Sequence, residues 1–458
     1  MEGIKLRIPS QGLDRGSDLL DREIKDIIGI GIGPFNLGLA ALVDQTDEVD
    51  GLFFEQTIEF NWHPGMLIEK MDLQVPFLAD LVTFADPKSP YTFINYLHEH
   101  NRMFPFFFHR HFEIPRQEFN HYMQWVAGQL DGLRFGHTVI DVIDHKEEDT
   151  PHYEVIVEET TTGERKHFRS RHVVMGTGNE PVVLDGMDRL PNEDVLHTSR
   201  YLFQKDQLLK SRHVAVIGSG QSALEVFLDL LEEQERNDMK VTLLTRSGGL
   251  FQLDTAKFAQ EMFTPDYVDY FHNLSFDQRK EALNTLGPLR KGIAPDTLTR
   301  LYTKLYHRTT AMEDSRVLIQ PMTEINGVEA AKEGGYDLQC RQWQEEYDYT
   351  YHADKVVFAT GYKPHVPSWF MDRYKDQVEW EADQMYKVSR DYYLEFKDGR
   401  DHHFFTLTNL VHSHGAGATN LGLSVHRNVH IINTIAGKEV YKNQKDTTFQ
   451  TFSMKHSE

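Results

Sequence analysis

The sequence predicts an α/β protein with two parallel-sheet units, each of the kind that holds a dinucleotide, and a smaller helical region. Three observations predict it. Residues 26–40 read as a buried strand, a turn with glycines at 29, 31 and 33, and a helix start. Residues 213–223 repeat that pattern, with glycines at 218 and 220. Two more apolar strands, at 173–178 and 356–361, also run into glycine turns, as the return strands of such sheets do.

Composition sets the bounds. The chain has 458 residues, which the usual domain size reads as about three domains or fewer. Hydrophobic residues make up 40%, enough for a sizeable core. No run reaches the roughly 18 apolar residues of a membrane span, so no membrane role is expected. The net charge of −22 argues against nucleic acid as a partner and is read as solubility. Cys340 is the only cysteine, which excludes an internal disulfide, a CxxC redox pair and a cysteine metal site. A cytoplasmic location is expected.

Residues 1–25 are polar and mixed in charge, and are expected to be a loosely held extension and not a secretory signal. Residues 26–205 are expected to form the first part of one Rossmann-like domain. Gly31 and Gly33 let the backbone turn sharply and approach a pyrophosphate, which the following helix N-terminus holds. Asn36 stands where the general fingerprint has a third glycine. The strand at 52–55 ends in Glu55, about twenty residues on, where an acid takes a ribose hydroxyl pair. Residues 62–86 are too irregular for one long element and are expected to fold back over a cofactor. Helices are expected at 89–98 and 115–130, aromatic core at 104–108, and strands at 135–159 and 166–174.

Residues 206–350 are expected to form the second dinucleotide domain, with a helical, substrate-binding segment at about 251–310. Its fingerprint is Gly218-x-Gly220-Gln221-Ser222-Ala223, where Ala223 meets the packing requirement of the third position. The next strand ends in Arg246 and Ser247 with no acid. A cation there suits a 2′-phosphate, so this site is expected to prefer NADP. Residues 351–458 are expected to return to the first domain through the strand ending at Thr360 and Gly361. A glycine-rich loop containing Gly415 then leads to a helix over 420–436, whose N-terminus offers a further place for negative charge. Of the 24 histidines, His426 and His430 have the i, i+4 spacing of metal ligands, but no third ligand or Glu-x-x-His context accompanies them, and no metal is expected.

In detail the chain resembles the N-hydroxylating flavin monooxygenases of siderophore biosynthesis, and among them the diamine enzymes most. The stretches that carry the resemblance include Gly31-x-Gly33-Pro34-x-Asn36-Leu37, Trp62-His63 and Leu73-Gln74-x-x-Phe77-Leu78-x-Asp80-Leu81. Others are Ser89-Pro90-Tyr91-x-Phe93-x-Asn95-Tyr96-Leu97, Glu118-Phe119-x-x-Tyr122, Glu261-x-Phe263-x-Pro265, Phe358-Ala359-Thr360-Gly361-Tyr362 and His414-Gly415. They span nearly the whole chain, and Asn36 is normal in that family.

The resemblance implies FAD in the first site and NADPH in the second. It implies a flavin C4a-hydroperoxide, formed with O2, that oxygenates a primary amine. Trp62, His63, Gln74, Thr360, Gly361, Gly415 and Leu421 are then expected beside the cofactors, with Gln74 orienting the hydroperoxide. Gln221 and Ser222 are expected at the NADP pyrophosphate. The amine must lose a proton to attack, although a free lysine-type ammonium has a pKa of about 10.4. Ornithine and lysine hydroxylases carry a lysine for the substrate carboxylate where this chain has Ala79, and ornithine hydroxylases an asparagine whose nearest position here is Gln260. Their later Asn-Tyr pair is replaced by Leu289-Arg290-Lys291-Gly292. Without that carboxylate-binding set, the expected substrate is putrescine or cadaverine. L-lysine or L-ornithine hydroxylation is the alternative, ahead of another flavin monooxygenase or a non-catalytic flavin sensor. Disulfide reductase is excluded by the lone cysteine. A homo-oligomer, taken as a tetramer, is expected from relatives.

Overall fold

The computed structural model describes residues 23–184, 186–310 and 315–454. The extension predicted for 1–25 lies outside them up to residue 22, and strand β1 (Ile24–Ile30) already takes the last two residues of that range. Ile27, Ile28 and Ile30 are all buried because β1 is an inner strand covered on both faces. It pairs in parallel with Gly51–Glu55 on one side and Arg165–Met175 on the other. The sheet has seven strands, with Leu133–Phe135 at one edge and the antiparallel strands Tyr153–Glu159 and His137–Asp144 at the other. Phe404–Thr406 joins it late in the chain, parallel to Arg165–Met175, with Phe404 opposite Val173.

After β1 the chain turns into helix α1 (Pro34–Val43), which Pro34 opens with its fixed φ. The second sheet has five parallel strands in the order Val195–His197, Lys355–Phe358, β2 (His213–Ile217), Lys240–Leu244, Val317–Gln320. β2 leads into helix α2 (Gln221–Glu233). The strand Lys355–Phe358 corrects the expected boundary at 350/351: it lies inside the second sheet, beside β2, and so does Val195–His197. A buried parallel strand running into a glycine turn reads alike in either sheet, so the pattern could not say which one it joined. The chain crosses back only after it, where Tyr362–Pro364 pairs with Asn179–Pro181.

Residues 104–108 correct a second expectation. They lie in the helix Met103–His109, and Phe104, Phe107 and Phe108 are 75%, 66% and 67% exposed. One short helix presents one face inward. Phe106 takes it, 5.1 Å from Phe77 and 5.8 Å from Phe93, and its neighbours point away.

The helical segment contains Pro265–His272, Phe276–Thr285 and Pro295–Arg308 among its helices. Helix α3 (Leu421–Ala436) packs on α1, with Asn428 Nδ2 donating to Phe35 O at 3.1 Å. Beyond it the tail is tied to the helical segment. Asp266 accepts from the backbone of Asp446 and Thr447, and Glu261 from that of Phe449 and Gln450. Among the described residues no helix is long and apolar enough to cross a membrane.

Candidate functional site

The two glycine turns share one geometry. Gly31 has φ +82°, and a Cβ there would lie 2.6 Å from Gly176 O, so the fold itself demands glycine. Gly218 has φ +149°, and a Cβ there would lie 2.7 Å from Ala359 O. Gly33 and Gly220 differ from them. Both are extended, both are the N-cap of a helix with no side chain capping it, and nothing lies within 4 Å of where a Cβ would stand. Each turn thus leaves an open cradle facing uncapped helix N–H groups, which fits a pyrophosphate.

Asn36 explains the departure from the fingerprint. It is buried, and its Nδ2 donates to Gly31 O at 2.7 Å and Ile30 O at 3.3 Å. Close packing is supplied instead by Gly176, whose Cβ would meet Asn36 Nδ2 at 2.4 Å. Asn36 Oδ1 is buried with no partner among the described residues, a spare acceptor at the turn. Glu55 Oε2 accepts from Ile32 N at 2.9 Å, and Oε1 accepts from Thr57 N at 3.0 Å. It therefore braces the turn from the expected strand end.

Trp62 N donates to Asn120 Oδ1 at 2.7 Å, and His63 takes a left-handed φ of +51° before the turn Pro64–Met66. Gln74 is exposed on the short strand Asp72–Pro76, and its amide bonds to no group among the described residues. Thr360 Oγ1 donates to Val182 O at 2.6 Å and Gly361 has φ +83°, so these two shape the crossing between the sheets. Gly415 has φ +80°, and a Cβ there would be 3.3 Å from the Phe271 ring.

One expectation needs correcting here. The N-terminus of α3 is not an open charge acceptor, because Asn420 Oδ1 already takes Gly422 N at 2.9 Å and Leu423 N at 3.3 Å. Leu421 packs half-buried against the hydrophobic core around the first sheet. Gln221 is the first residue of α2, directly after Gly220, and its side chain turns away into the protein. Its Nε2 donates to Glu225 Oε1 and Thr297 Oγ1, each at 2.9 Å, and its Oε1 accepts from Ala294 N. Ser222 lies half-buried in the first turn of α2.

Ala79 is 7% exposed and sits against the first turn of α3: a Cβ on Gly422 would meet Ala79 Cβ at 3.5 Å and the Phe84 ring at 3.1 Å. A Cβ on Gly417 would meet the Phe263 ring at 3.4 Å, so the helical segment reaches the short turn Ala416–Thr419 just before α3. Gln260 is exposed nearby in sequence, its Nε2 donating to Asp254 O at 3.0 Å. Residues 252–254 in turn hold the Arg290–Lys291 stretch through Leu253 N to Ile293 O and Asp254 N to Pro288 O. Asp80, next to Ala79, accepts from Val82 N, Thr83 N, Thr83 Oγ1 and Phe93 N. Those four bonds occupy it as a loop brace. His426 faces Arg390 Nη2 at 3.2 Å, and His430 faces Asp391 at 2.9 Å.

Arg246 follows the strand Lys240–Leu244 with its side chain 77% exposed, and among the described residues its guanidinium pairs with Glu324 alone, at 3.3 Å. It is free to meet a phosphate. Arg246→Ala is expected to cut the preference for NADPH over NADH about tenfold, since a charge-assisted contact at an exposed position is partly screened. Flavin reduction rates with each nucleotide measure it, and an unchanged ratio would remove Arg246 from the role. Sequence reasoning missed Arg116 and Glu225, which pair across the two sheets. Arg116 stood just before the Glu118-Phe119 motif, but nothing in the sequence named its partner.

Two sheets, each with a parallel strand leading into an open glycine cradle, define a two-dinucleotide oxidoreductase fold. The chain belongs to the L-lysine 6-monooxygenase/L-ornithine 5-monooxygenase family, whose model matches residues 23–364. It is 35% identical over 437 residues to a putrescine N-hydroxylase of Shewanella oneidensis, covering 95% of this chain and 85% of that one. Its structure resembles the FAD-bound cadaverine monooxygenase of desferrioxamine biosynthesis from Erwinia amylovora, with a TM-score of 0.89 and 32% identity, covering 95% of this chain and 100% of that one. The ornithine N-hydroxylase of a Kutzneria species, with reduced FAD, NADP+ and L-ornithine, is 25% identical with a TM-score of 0.84, over 90% and 99% of the two chains.

Proposed function

We propose that this chain hydroxylates one primary amine of an aliphatic diamine, putrescine or cadaverine, with FAD, NADPH and O2, early in the making of a hydroxamate siderophore. Reduced FAD supplies the oxygen-activating chemistry. The chain supplies placement. The Gly33 cradle and α1 hold the FAD pyrophosphate, and the Gly220 cradle and α2 hold that of NADPH. The unengaged amide of Gln74 offers both a donor and an acceptor to the reacting end of the flavin.

The observation that carries the choice of substrate is Ala79, buried where a lysine would otherwise pair a carboxylate. An unpaired carboxylate in that place carries a large desolvation cost. Coupled hydroxylamine formation with putrescine, cadaverine, ornithine and lysine tests the reading, and one of the diamines is expected to give the highest kcat/KM. The second reading, an amino-acid substrate, is favoured by the Arg290–Lys291 stretch beside the Gln260 loop. Faster turnover of lysine or ornithine than of both diamines would establish it.

A further inference from the structure

We propose that the ion pair Arg116–Glu225 is the joint that fixes the NADPH-binding unit at the angle needed to reduce the flavin. This rests on the functional reading above. Arg116 opens the helix Arg116–Ala127 of the first unit, and Glu225 lies one turn into α2 of the second. The pair is bidentate: Nη1 reaches Oε2 at 2.9 Å and Nη2 reaches Oε1 at 2.7 Å. Two parallel bonds between planar groups fix an angle as well as a distance. The side chains are 13% and 1% exposed, so solvent screens the pair little.

Each end of the pair is tied to a part of the active machinery. Arg116 Nη1 also donates to Met66 O at 3.0 Å, which ends the turn following Trp62 and His63. Glu225 Oε1 also accepts from Gln221, the first residue of α2, directly after the Gly220 cradle. Gln221 carries the link onward to Thr297 and to Ala294 N at the start of the helix Pro295–Arg308. One carboxylate therefore joins the flavin unit, the NADPH cradle and the helical segment. A second contact lies close by. Gly65 packs so tightly on the second unit that a Cβ would stand 1.9 Å from Ser199 O. The backbone contact is a pivot, and the ion pair sets the rotation about it. For stability alone, a buried ion pair gains little over an apolar pair of the same shape. Its use here is orientation: any tilt of α2 carries the bound NADPH with it, and displacement of about 1 Å can cost about a hundredfold in rate.

Glu225→Gln and Arg116→Lys, both made in the full-length holoenzyme, test this. The expected result is flavin content and diamine KM within about twofold of wild type, with flavin reduction at saturating NADPH slowed about tenfold or more. A larger primary isotope effect with NADPH deuterated at the transferred position should accompany it. Hydrogen exchange supplies a readout independent of activity. Amides in residues 62–66 and 198–200 should exchange faster in the variants, while those of β1 and β2 keep their protection. Unchanged reduction at saturating NADPH, or exchange that rises equally throughout both sheets, overturns the joint. Wild-type protein that NADPH fails to reduce would instead overturn the functional reading on which the joint rests.

Discussion

Gly33→Val is expected to fold normally and emerge without flavin. The backbone at Gly33 has φ −83° and ψ −179°, a conformation that valine favours and that a residue before proline adopts anyway. Nothing in the protein lies within 4 Å of the new Cβ. The space it fills is the cradle, so the loss falls on the ligand and not on the fold. Gly220→Val is the matched case, with φ −95° and an equally empty surrounding. That variant should stay yellow but be reduced by NADPH roughly ten- to a hundredfold more slowly, the loss expected when a charged group is pushed off its N–H donors. FAD per chain and thermal unfolding of both variants read the outcome. The opposite assignment, a yellow Gly33→Val and a colourless Gly220→Val, would show the sites to be exchanged. Gly31→Ala makes a useful contrast: with φ +82° and Gly176 O at 2.6 Å, it should lower stability whether or not flavin is present.

Ala79→Lys is expected to cut kcat/KM for the preferred diamine by roughly ten- to a hundredfold. The new ammonium would enter the surroundings of Phe84 and Gly422 and repel the second ammonium of the substrate. Asp80 already uses its oxygens in the four hydrogen bonds that brace its loop. NADPH oxidation without matching hydroxylamine would report the same injury as uncoupling. FAD content and thermal unfolding serve as controls, because a lysine here also replaces a small buried side chain. Diamine turnover unaltered by the substitution would place the substrate away from Ala79 and remove the main argument for a diamine.

Both glycine turns, both flanking strands and the helix after residue 420 were legible from residue pattern, because each depends on neighbours along the chain. Asn36 was legible as a departure but the space for its side chain was not, since that space is left by Gly176, which follows a strand far along the sequence. The strand Lys355–Phe358 was found and misassigned for the same kind of reason: its burial is local, but its sheet partner is not. The phenylalanines of Met103–His109 were read inward because aromatic density usually means core; only geometry shows that Phe106 alone turns in. The occupied Gln221 amide and the Arg116–Glu225 pair depend on two units meeting, and no spacing rule reaches across them.

The late arrival of Phe404–Thr406 beside Arg165–Met175 bears on how the protein is made. Chains emerge from the ribosome N-terminus first, and domains fold as units. The second sheet has all five strands once residue 358 is out, whereas the first still lacks one and α1 lacks the helix that packs on it. The unit begun first in synthesis is therefore completed last, and closing it brings together residues far apart in sequence, which slows folding. A chain stalled before α3 carries a finished second unit and a first unit whose α1 still lacks the helix that packs on it.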